Sequence, residues 1–166
     1  IVYGQTTIIY AGPNRGVTAE KIEMQGADVV QRDHWSHADN SLQFNTPVVK
    51  DGLMIGISTT NNLFCINADD GQLAWTAPLS ESASGQSSQE QGGRGGGRRR
   101  GGGRGGYGSV VDANSVMFAL LPSGELTVFE AGVQYKQLAR YKVADGGTYA
   151  HPVISRNRIF IKDQDS

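Results

Sequence analysis

The stretch VVKDGLMIGISTTNNLFCINADDGQLAWTA, residues 48–77, determines the fold prediction. It opens with two short apolar runs separated by the polar turn around Asp51, which is the signature of a β-hairpin. Two more predicted strands follow, Asn62 to Asn67 and Gln72 to Ala77, and the turn Ala68 to Gly71 joins them. The stretch therefore predicts four consecutive short antiparallel strands.

The same hairpin pattern recurs along the chain. IVYGQTTIIYAG, VVDANSVMFALL and VISRNRIFIKDQ repeat it, so the hairpins begin at residues 1, 48, 110 and 153 and are spaced 47, 62 and 43 residues apart. When the 18 residues of the glycine-arginine tract at 91–108 are set aside, the middle spacing becomes 44. A nearly constant period indicates a repeat architecture, with the tract as an insertion between repeats.

The units on either side also continue with two further predicted strands. These are Val17 to Met24 and Val29 to Trp35 in the first unit, and Glu125 to Glu130 and Lys136 to Val143 in the third. Helical periodicity is not sustained anywhere. Four short antiparallel strands per repeat are typical of a propeller blade, whereas a β-sandwich, the alternative, does not require a constant four-strand period. We therefore predict an all-β partial β-propeller of four-stranded antiparallel blades.

The repeat defines the expected domain organisation. Residues 1–45, 46–80 and 108–145 are predicted blades, the second with a tryptophan motif, and residues 146–166 are the first hairpin of a further, truncated blade. Residues 81–107 are predicted to be a disordered Gly/Arg-rich insertion. Because a propeller closes with about six to eight blades, we expect the sequence to be a fragment of a longer protein.

The segment CINADDGQLAW resembles a known repeat motif. It is similar to Ala-x-Asp-x-x-Thr-Gly-x-x-x-Trp of the pyrroloquinoline-quinone-type (PQQ-type, quinoprotein-like) β-propellers. The motif positions are filled here by Cys65 for Ala, Asn67 for Asp, Asp70 for Thr, and by the matching Gly71 and Trp75. The preceding TPVVKDGLMIGIS is similar to the opening hairpin of that family.

The resemblance implies a structural role for these residues. It implies that Gly71 makes a tight turn and that Trp75, on the outermost strand, packs between neighbouring blades. Trp35 stands at a looser spacing in the first unit, and Tyr141 lies near the tryptophan position in the third.

The glycine-arginine tract carries the only concentrated positive charge. The chain has 15 Lys and Arg against 16 Asp and Glu, a formal net charge of −1. Without the five arginines of the tract, 10 basic residues stand against 16 acidic ones. The remainder is therefore mildly acidic, which argues against a basic nucleic-acid-binding face on the folded part.

Two interpretations of the tract stay open. It can bind RNA or another polyanion, because guanidinium groups pair with phosphate and stack on bases, or it is a loop tolerated at a blade connection. The candidate polyanion contacts are Arg94, Arg98, Arg99, Arg100 and Arg104, and Tyr107 is its only aromatic residue. The G-x-G-x-x-G match at Gly103 to Gly108 is followed by a strand, so it is interpreted as a chance match.

Other candidate chemistry is sparse. Cys65 is the single cysteine, which excludes an internal disulfide and a multi-cysteine metal site, and its position predicts a core thiol. His34 and His37, in the segment Asp33 to Asp39, would point to opposite sides of a strand, so a solvated turn leaving the outer strand is favoured over a metal site. His151 is interpreted as a loop histidine. No apolar run approaches the length of a membrane span.

The functional expectation rests on the resemblance. Enzymes of the family are quinone-dependent alcohol and sugar dehydrogenases that hold PQQ and calcium on the propeller axis, and other members are non-catalytic and bind partners. None of the cofactor-holding positions can be matched here, so we expect a non-catalytic binding or scaffold module with protein partners and no cofactor. A PQQ-dependent dehydrogenase fragment, with PQQ and calcium, is the alternative, and an RNA- or polyanion-binding protein is the third possibility. The resemblance also implies an exported protein, whether periplasmic, envelope-associated or secreted.

Overall fold

The structure, a computed structural model, describes residues 1–79 and 107–164, and within these ranges it consists of β-strands and their connections. The strands are β1 Val2–Tyr3, β2 Thr7–Gly12, β3 Gly16–Gln25, β4 Asp28–His37, β5 Val48–Lys50, β6 Leu53–Ile57, β7 Asn62–Asn67, β8 Leu73–Pro78, β9 Ser109–Asp112, β10 Met117–Leu120, β11 Glu125–Glu130, β12 Lys136–Lys142, β13 Val153–Ser155 and β14 Arg158–Phe160. In the described part of the chain, no helix has the length and apolar character needed to cross a membrane.

The strands form three sheets and a hairpin. Sheet 1 contains β1 to β4, sheet 2 β5 to β8 and sheet 3 β9 to β12, each in sequence order, and β13 pairs with β14. All of these neighbouring strands pair antiparallel. The strands predicted from the apolar runs are confirmed in all four units.

Sheet 2 is buried on both faces, and β7 shows this most directly. Phe64 and Ile66 pack into a core shared with sheet 1, whereas Leu63 and Cys65 pack into a core shared with sheet 3. All four side chains are completely buried. Successive residues of a strand point to opposite faces, so an uninterrupted apolar run fits a strand between two sheets. Each large apolar side chain buried this way contributes about 1.5–3 kcal/mol.

Sheets 2 and 3 approach one another at their first strands. β9, the first strand of sheet 3, contacts β5 and β6 of sheet 2. Lys50 of β5 forms an ion pair with Asp112 of β9, with 2.5 Å between Nζ and Oδ1. Four-stranded sheets stacked face to face, with their first strands together, are the blades of a propeller. The predicted all-β partial propeller is confirmed.

Each sheet carries a β-bulge at the same place, between its third and fourth strands. The pairs Ala19↔Trp35, Cys65↔Trp75 and Val128↔Ala139 each precede a register shift. The extra residue on the outer strand is His34, Ala74 or Leu138. The register therefore puts Ala139 at the tryptophan position of sheet 3, two residues before the predicted Tyr141, which pairs with Leu126.

Candidate functional site

The polar residues of the Cys65–Trp75 motif build the turn between β7 and β8. Asn67 Oδ1 accepts the N–H of Asp69 at 2.9 Å, and Asp70 Oδ1 accepts the N–H of Gln72 at 2.9 Å. Gly71 has φ of 75° and donates its N–H to the carbonyl of Asn67 at 2.9 Å. A glycine reverses the chain here because it adopts positive φ at no steric cost.

The apolar ends of the motif face sheet 3. Trp75 is half-buried, lies with its ring centroid 6.2 Å from that of Phe129 and 5.1 Å from that of Tyr135, and donates its indole N–H to the carbonyl of Gly132 at 2.8 Å. Cys65, opposite Trp75 on β7, is a free and fully buried thiol. Burial raises the pKa of the Cys65 thiol to about 12, which keeps it protonated and unreactive near neutral pH.

The predicted polyanion contacts cannot be placed in this site. Arg94, Arg98, Arg99, Arg100 and Arg104 lie outside the described residues, together with all of the predicted insertion except its last residue, Tyr107. Tyr107 is described and lies in the aromatic row introduced below.

The histidine segment differs from its prediction. The segment from Asp33 to His37 lies within β4 instead of a turn, because β3 begins at Gly16 and supplies partners up to the pair Val17↔His37. His34 is exposed at the bulge, and His37 Nε2 lies 3.0 Å from Asn40 Nδ2. Within residues 1–79 and 107–164, no group of three or more His, Cys, Asp or Glu side chains is arranged to hold a metal ion.

Three aromatic side chains occupy equivalent positions in the connections between sheets. We call Phe44, Tyr107 and Tyr149 the aromatic row. The ring centroids of Phe44 and Tyr107 are 4.6 Å apart, with 12° between the ring planes. Those of Tyr107 and Tyr149 are 6.1 Å apart, with the planes at 86°. The three connections therefore bring their aromatic residues together in one continuous cluster.

Sequence reasoning missed this row, although a signal for it exists. Each member lies four residues before a valine of the following first strand, and each valine pairs seven residues further on, in the pairs Val48↔Ile55, Val111↔Phe118 and Val153↔Phe160. Aligning the repeats upstream of their hairpins would have shown an aromatic residue at one repeated position. Only the stacking of the sheets shows that the three rings meet.

Phe44 is held in an unusual backbone conformation. Its φ is 58°, and 63% of the residue is exposed. A bulky residue with positive φ is a steric outlier, and strain of this kind persists only where the surroundings hold it. The next residue supplies the restraint, since Asn45 Nδ2 donates to the carbonyl of Gln43 at 3.1 Å and to that of Ile57 at 2.9 Å.

Tyr107 is positioned by the glycine that follows it. Gly108 has φ of 153°, and a Cβ placed on it would lie 2.6 Å from Ile57 Cδ1 and 3.0 Å from the carbonyl oxygen of Leu120. Only glycine fits between sheets 2 and 3 at this point. The chain therefore enters sheet 3 along a restricted path that places Tyr107 beside Phe44.

Tyr149 is positioned by its own connection. A Cβ on Gly147 would lie 2.7 Å from the ring of Tyr149, so the ring rests directly on this glycine. The neighbouring Thr148 is buried and donates its hydroxyl to the carbonyl of Leu121 at 2.5 Å. Tyr149 itself is 70% exposed. The ring is thus fixed in place and yet open to solvent.

The aromatic row borders a half-open cavity of about 410 Å³. Besides the three rings, the polar side chains around it are those of Asn45, Thr46, Ser109, Thr148 and His151. Among the described residues that line it, there is no Asp, Glu, Lys or Arg. We call this cavity the aromatic groove. The described lining residues offer ring faces and hydroxyl, amide and imidazole groups.

Comparisons with known proteins identify related folds only. No protein-family model matches the chain, and no curated protein matches it. Among solved structures, the crystal structure of BamB from Moraxella catarrhalis is similar, with 9% identity, a TM-score of 0.49 and 99% of this chain covered. The computationally designed Ika8 protein is similar to the same extent, with 10% identity, a TM-score of 0.49 and 99% coverage. The chain spans about half the length of each, 54% in both cases.

Proposed function

We propose that this chain is a non-catalytic propeller repeat module of the PQQ-like, quinoprotein-like type that binds a protein partner at the aromatic row. The observation that carries the proposal is Phe44, a strained and mostly exposed phenylalanine stacked on a tyrosine from the next connection. Strain at an exposed side chain costs stability, and such strain clusters at ligand-binding sites.

The chemistry of the row suits a binding surface. Aromatic side chains are enriched among the residues that dominate protein interfaces, because they bury a large area at a small cost in conformational entropy. Phe44, Tyr107 and Tyr149 are each restrained by a hydrogen bond or a glycine contact of their own connection. A surface ordered before binding loses less entropy when the partner arrives.

The location of the row supports the same function. Its members lie in connections, whereas the strands of sheets 1 to 3 bury their side chains against one another. Connections on a rigid β scaffold are the usual place for binding residues, since they can vary while the scaffold is maintained. The Cys65–Trp75 motif, by contrast, is engaged in a turn and in packing against sheet 3.

The two other functions considered from the sequence would require different ligands and different residues. A PQQ-dependent dehydrogenase would take up the quinone with calcium and oxidise an alcohol or sugar. An RNA- or polyanion-binding protein would act through the arginines at 94–104. We also propose an exported protein, in the periplasm, at the envelope or secreted, on the resemblance of the motif alone.

A peptide-display selection tests the proposal. The 166-residue chain is used to select from a library of random linear peptides, and the binders are retested on Phe44→Gly, Tyr149→Ala and the control Tyr141→Ala. Tyr141 is a suitable control because it is a tyrosine exposed to a similar degree, 56%, on β12 and outside the row. We expect binders that lose at least about tenfold in affinity with either row variant and keep it with the control.

Phe44→Gly separates binding from folding. Glycine removes the ring but tolerates the positive φ, so the relief of backbone strain offsets the lost stacking and the stability stays within about 1 kcal/mol of the original. Binders that ignore both row variants would place the site elsewhere. Stoichiometric uptake of PQQ with calcium, together with dye-linked alcohol oxidation, would replace the proposal with the dehydrogenase.

A further inference from the structure

The shape of the aromatic groove is specific at one point. Tyr107 and Tyr149 meet nearly at right angles, with ring centroids 6.1 Å apart, and form an angular slot. Phe44 extends the slot on one side, since it stacks in parallel on Tyr107. Grooves lined by aromatic rings accept proline-rich segments, whose pyrrolidine rings pack against the aromatic faces.

The hydrogen-bonding groups around the slot match the same ligand. A polyproline II helix has no internal hydrogen bonds, so its carbonyl groups are free to accept, and proline has no N–H to donate. The ligand is therefore rich in acceptors and poor in donors. Around the groove stand the hydroxyls of Thr46 and Ser109, the two tyrosine hydroxyls and the imidazole of His151, all of which can donate.

The charge of the groove lining and the length of the aromatic row are also consistent with a proline-rich ligand. The lining residues that the structure describes include no Asp, Glu, Lys or Arg, so a strongly charged ligand would find no counter-charge among them. The centroid steps of 4.6 and 6.1 Å set an upper limit on the length of the row that allows one turn of a polyproline II helix, which rises about 9 Å in three residues. One turn corresponds to a Pro-x-x-Pro core.

We propose, resting on the proposed function, that the aromatic groove binds a proline-rich segment of a protein partner in the polyproline II conformation. The preformed extended ligand loses little entropy on binding. An oligosaccharide is the other neutral ligand that stacks on aromatic rings. It fits less well, because Tyr107 and Tyr149 meet at an angle and do not form the flat platform on which a sugar ring stacks.

Fluorescence anisotropy tests the proposal with defined probes. A fluorescein-labelled proline decamer is titrated with the 166-residue chain, beside a labelled Gly-Ser decamer and, by calorimetry, cellohexaose and chitohexaose. We expect saturable binding of the proline decamer alone. The affinity should fall at least about tenfold in Tyr149→Ala and in Phe44→Gly, and stay unchanged in Tyr141→Ala. It should also vary little between about 50 and 500 mM salt, because the described lining residues of the groove offer no charged partner.

A conservative variant separates the ring from the hydroxyl. Tyr149→Phe keeps the aromatic face but removes one donor, so it should lose less affinity than Tyr149→Ala, a ranking that a general loss of folding would not produce. Failure of the proline decamer to bind, or binding that survives both Tyr149→Ala and Phe44→Gly, overturns the inference. Row-dependent display binders without proline would overturn it while leaving the proposed function standing, and binding of a hexasaccharide instead would overturn both.

Discussion

Trp35 and Trp75 make the same contact at two successive interfaces between sheets. Trp35 on β4 donates its indole N–H to the carbonyl of Ala68 at 3.1 Å, and Trp75 on β8 donates to the carbonyl of Gly132 at 2.8 Å. Both acceptors lie in the connection between the third and fourth strands of the following sheet. The tryptophan of one blade thus forms a hydrogen bond with the outer hairpin of the next blade.

The two contacts differ in what lies beneath the ring. Trp35 rests on Gly71, where a Cβ would lie 2.5 Å from the ring, whereas Trp75 packs against the aromatic rings of Phe129 and Tyr135. The connection after β11 supplies the ring of Tyr135, whereas the connection after β7 presents Gly71. Each interface therefore fills the same space with different side chains.

Removing Trp75 should destabilise the protein strongly. Trp75→Ala loses an indole packed between two sheets together with its hydrogen bond, so we expect the free energy of unfolding to fall by about 3–5 kcal/mol. Trp75→Phe keeps a ring but removes the N–H donor, and should cost at least about 1 kcal/mol. Urea denaturation measures both, with Tyr141→Ala as the exposed aromatic control. A loss below about 1 kcal/mol for Trp75→Ala would mean that the inter-sheet contact contributes little.

Gly71 and Gly26 form a matched pair for testing the contact beneath Trp35. Both have positive φ, 75° and 69°, but a Cβ on Gly26 would meet nothing within 4 Å. Alanine at either position should lower the free energy of unfolding by about 1–2 kcal/mol, because it must adopt a positive φ. Gly71→Ala should cost about 1–3 kcal/mol more, because the methyl group overlaps the Trp35 ring. Equal denaturation midpoints for the two variants would contradict the contact.

Cys65 should react only when the protein unfolds. Because burial raises the pKa of its thiol to about 12 from the ordinary value of 9.0, the folded chain keeps a proton that the unfolded chain releases. The Cys65 contribution to stability is therefore complete below pH 9.0 and is lost as the pH rises toward about 12. We expect no labelling by a thiol reagent at pH 8 in buffer and complete labelling in urea.

A cysteine-free variant isolates this titration. Cys65→Ala should show a weaker decline of unfolding free energy at alkaline pH than the original chain, while the tyrosine titrations common to both cancel in the difference. Rapid labelling of the folded protein at pH 8 would show that the thiol is accessible.

The arginines at 94–104 should account for any polyanion affinity of the chain. Replacing residues 91–106 with a short Gly-Ser linker should leave the melting temperature unchanged and abolish binding to heparin and RNA, as should exchange of the five arginines for glutamine. Binding by the original chain should be insensitive to base sequence and fall steeply with salt, because released counterions drive it. Sequence-selective RNA binding that persists at about 150 mM salt would favour the nucleic-acid function instead.

The strands and their order could be predicted from the sequence. The apolar runs around Ile9, Phe64 and Met117, and the turn residues between them, are local signals, and all of them lie in the strands expected from their patterns. The repeat spacing predicts that the tract at 91–108 is an insertion between blades, and this stays a prediction. The turn at Ala68 to Gly71 was likewise expected, because the hydrogen bonds around it join residues only two to four positions apart.

The position of the β-bulge could not be predicted from the sequence. A tryptophan follows the extra residue in sheets 1 and 2, but Ala139 follows it in sheet 3, so no one residue pattern marks the bulge that all three sheets share. The bulge increases the twist of the outer strand and directs the next side chain toward the following sheet. Its position depends on the register between two strands, and the register is set by which faces are buried.

The aromatic row likewise has one part that the sequence predicts and another that only the tertiary structure shows. The sequence by itself determined the repeat, the hairpins and an aromatic residue four positions before each of three valines, because these follow from local pattern and spacing. Only the tertiary structure decided that Phe44, Tyr107 and Tyr149 touch, since residues so far apart in the chain meet only when the sheets pack face to face. The sheets stack because each blade has apolar faces that it cannot bury alone. The aromatic row therefore forms only when neighbouring blades pack together.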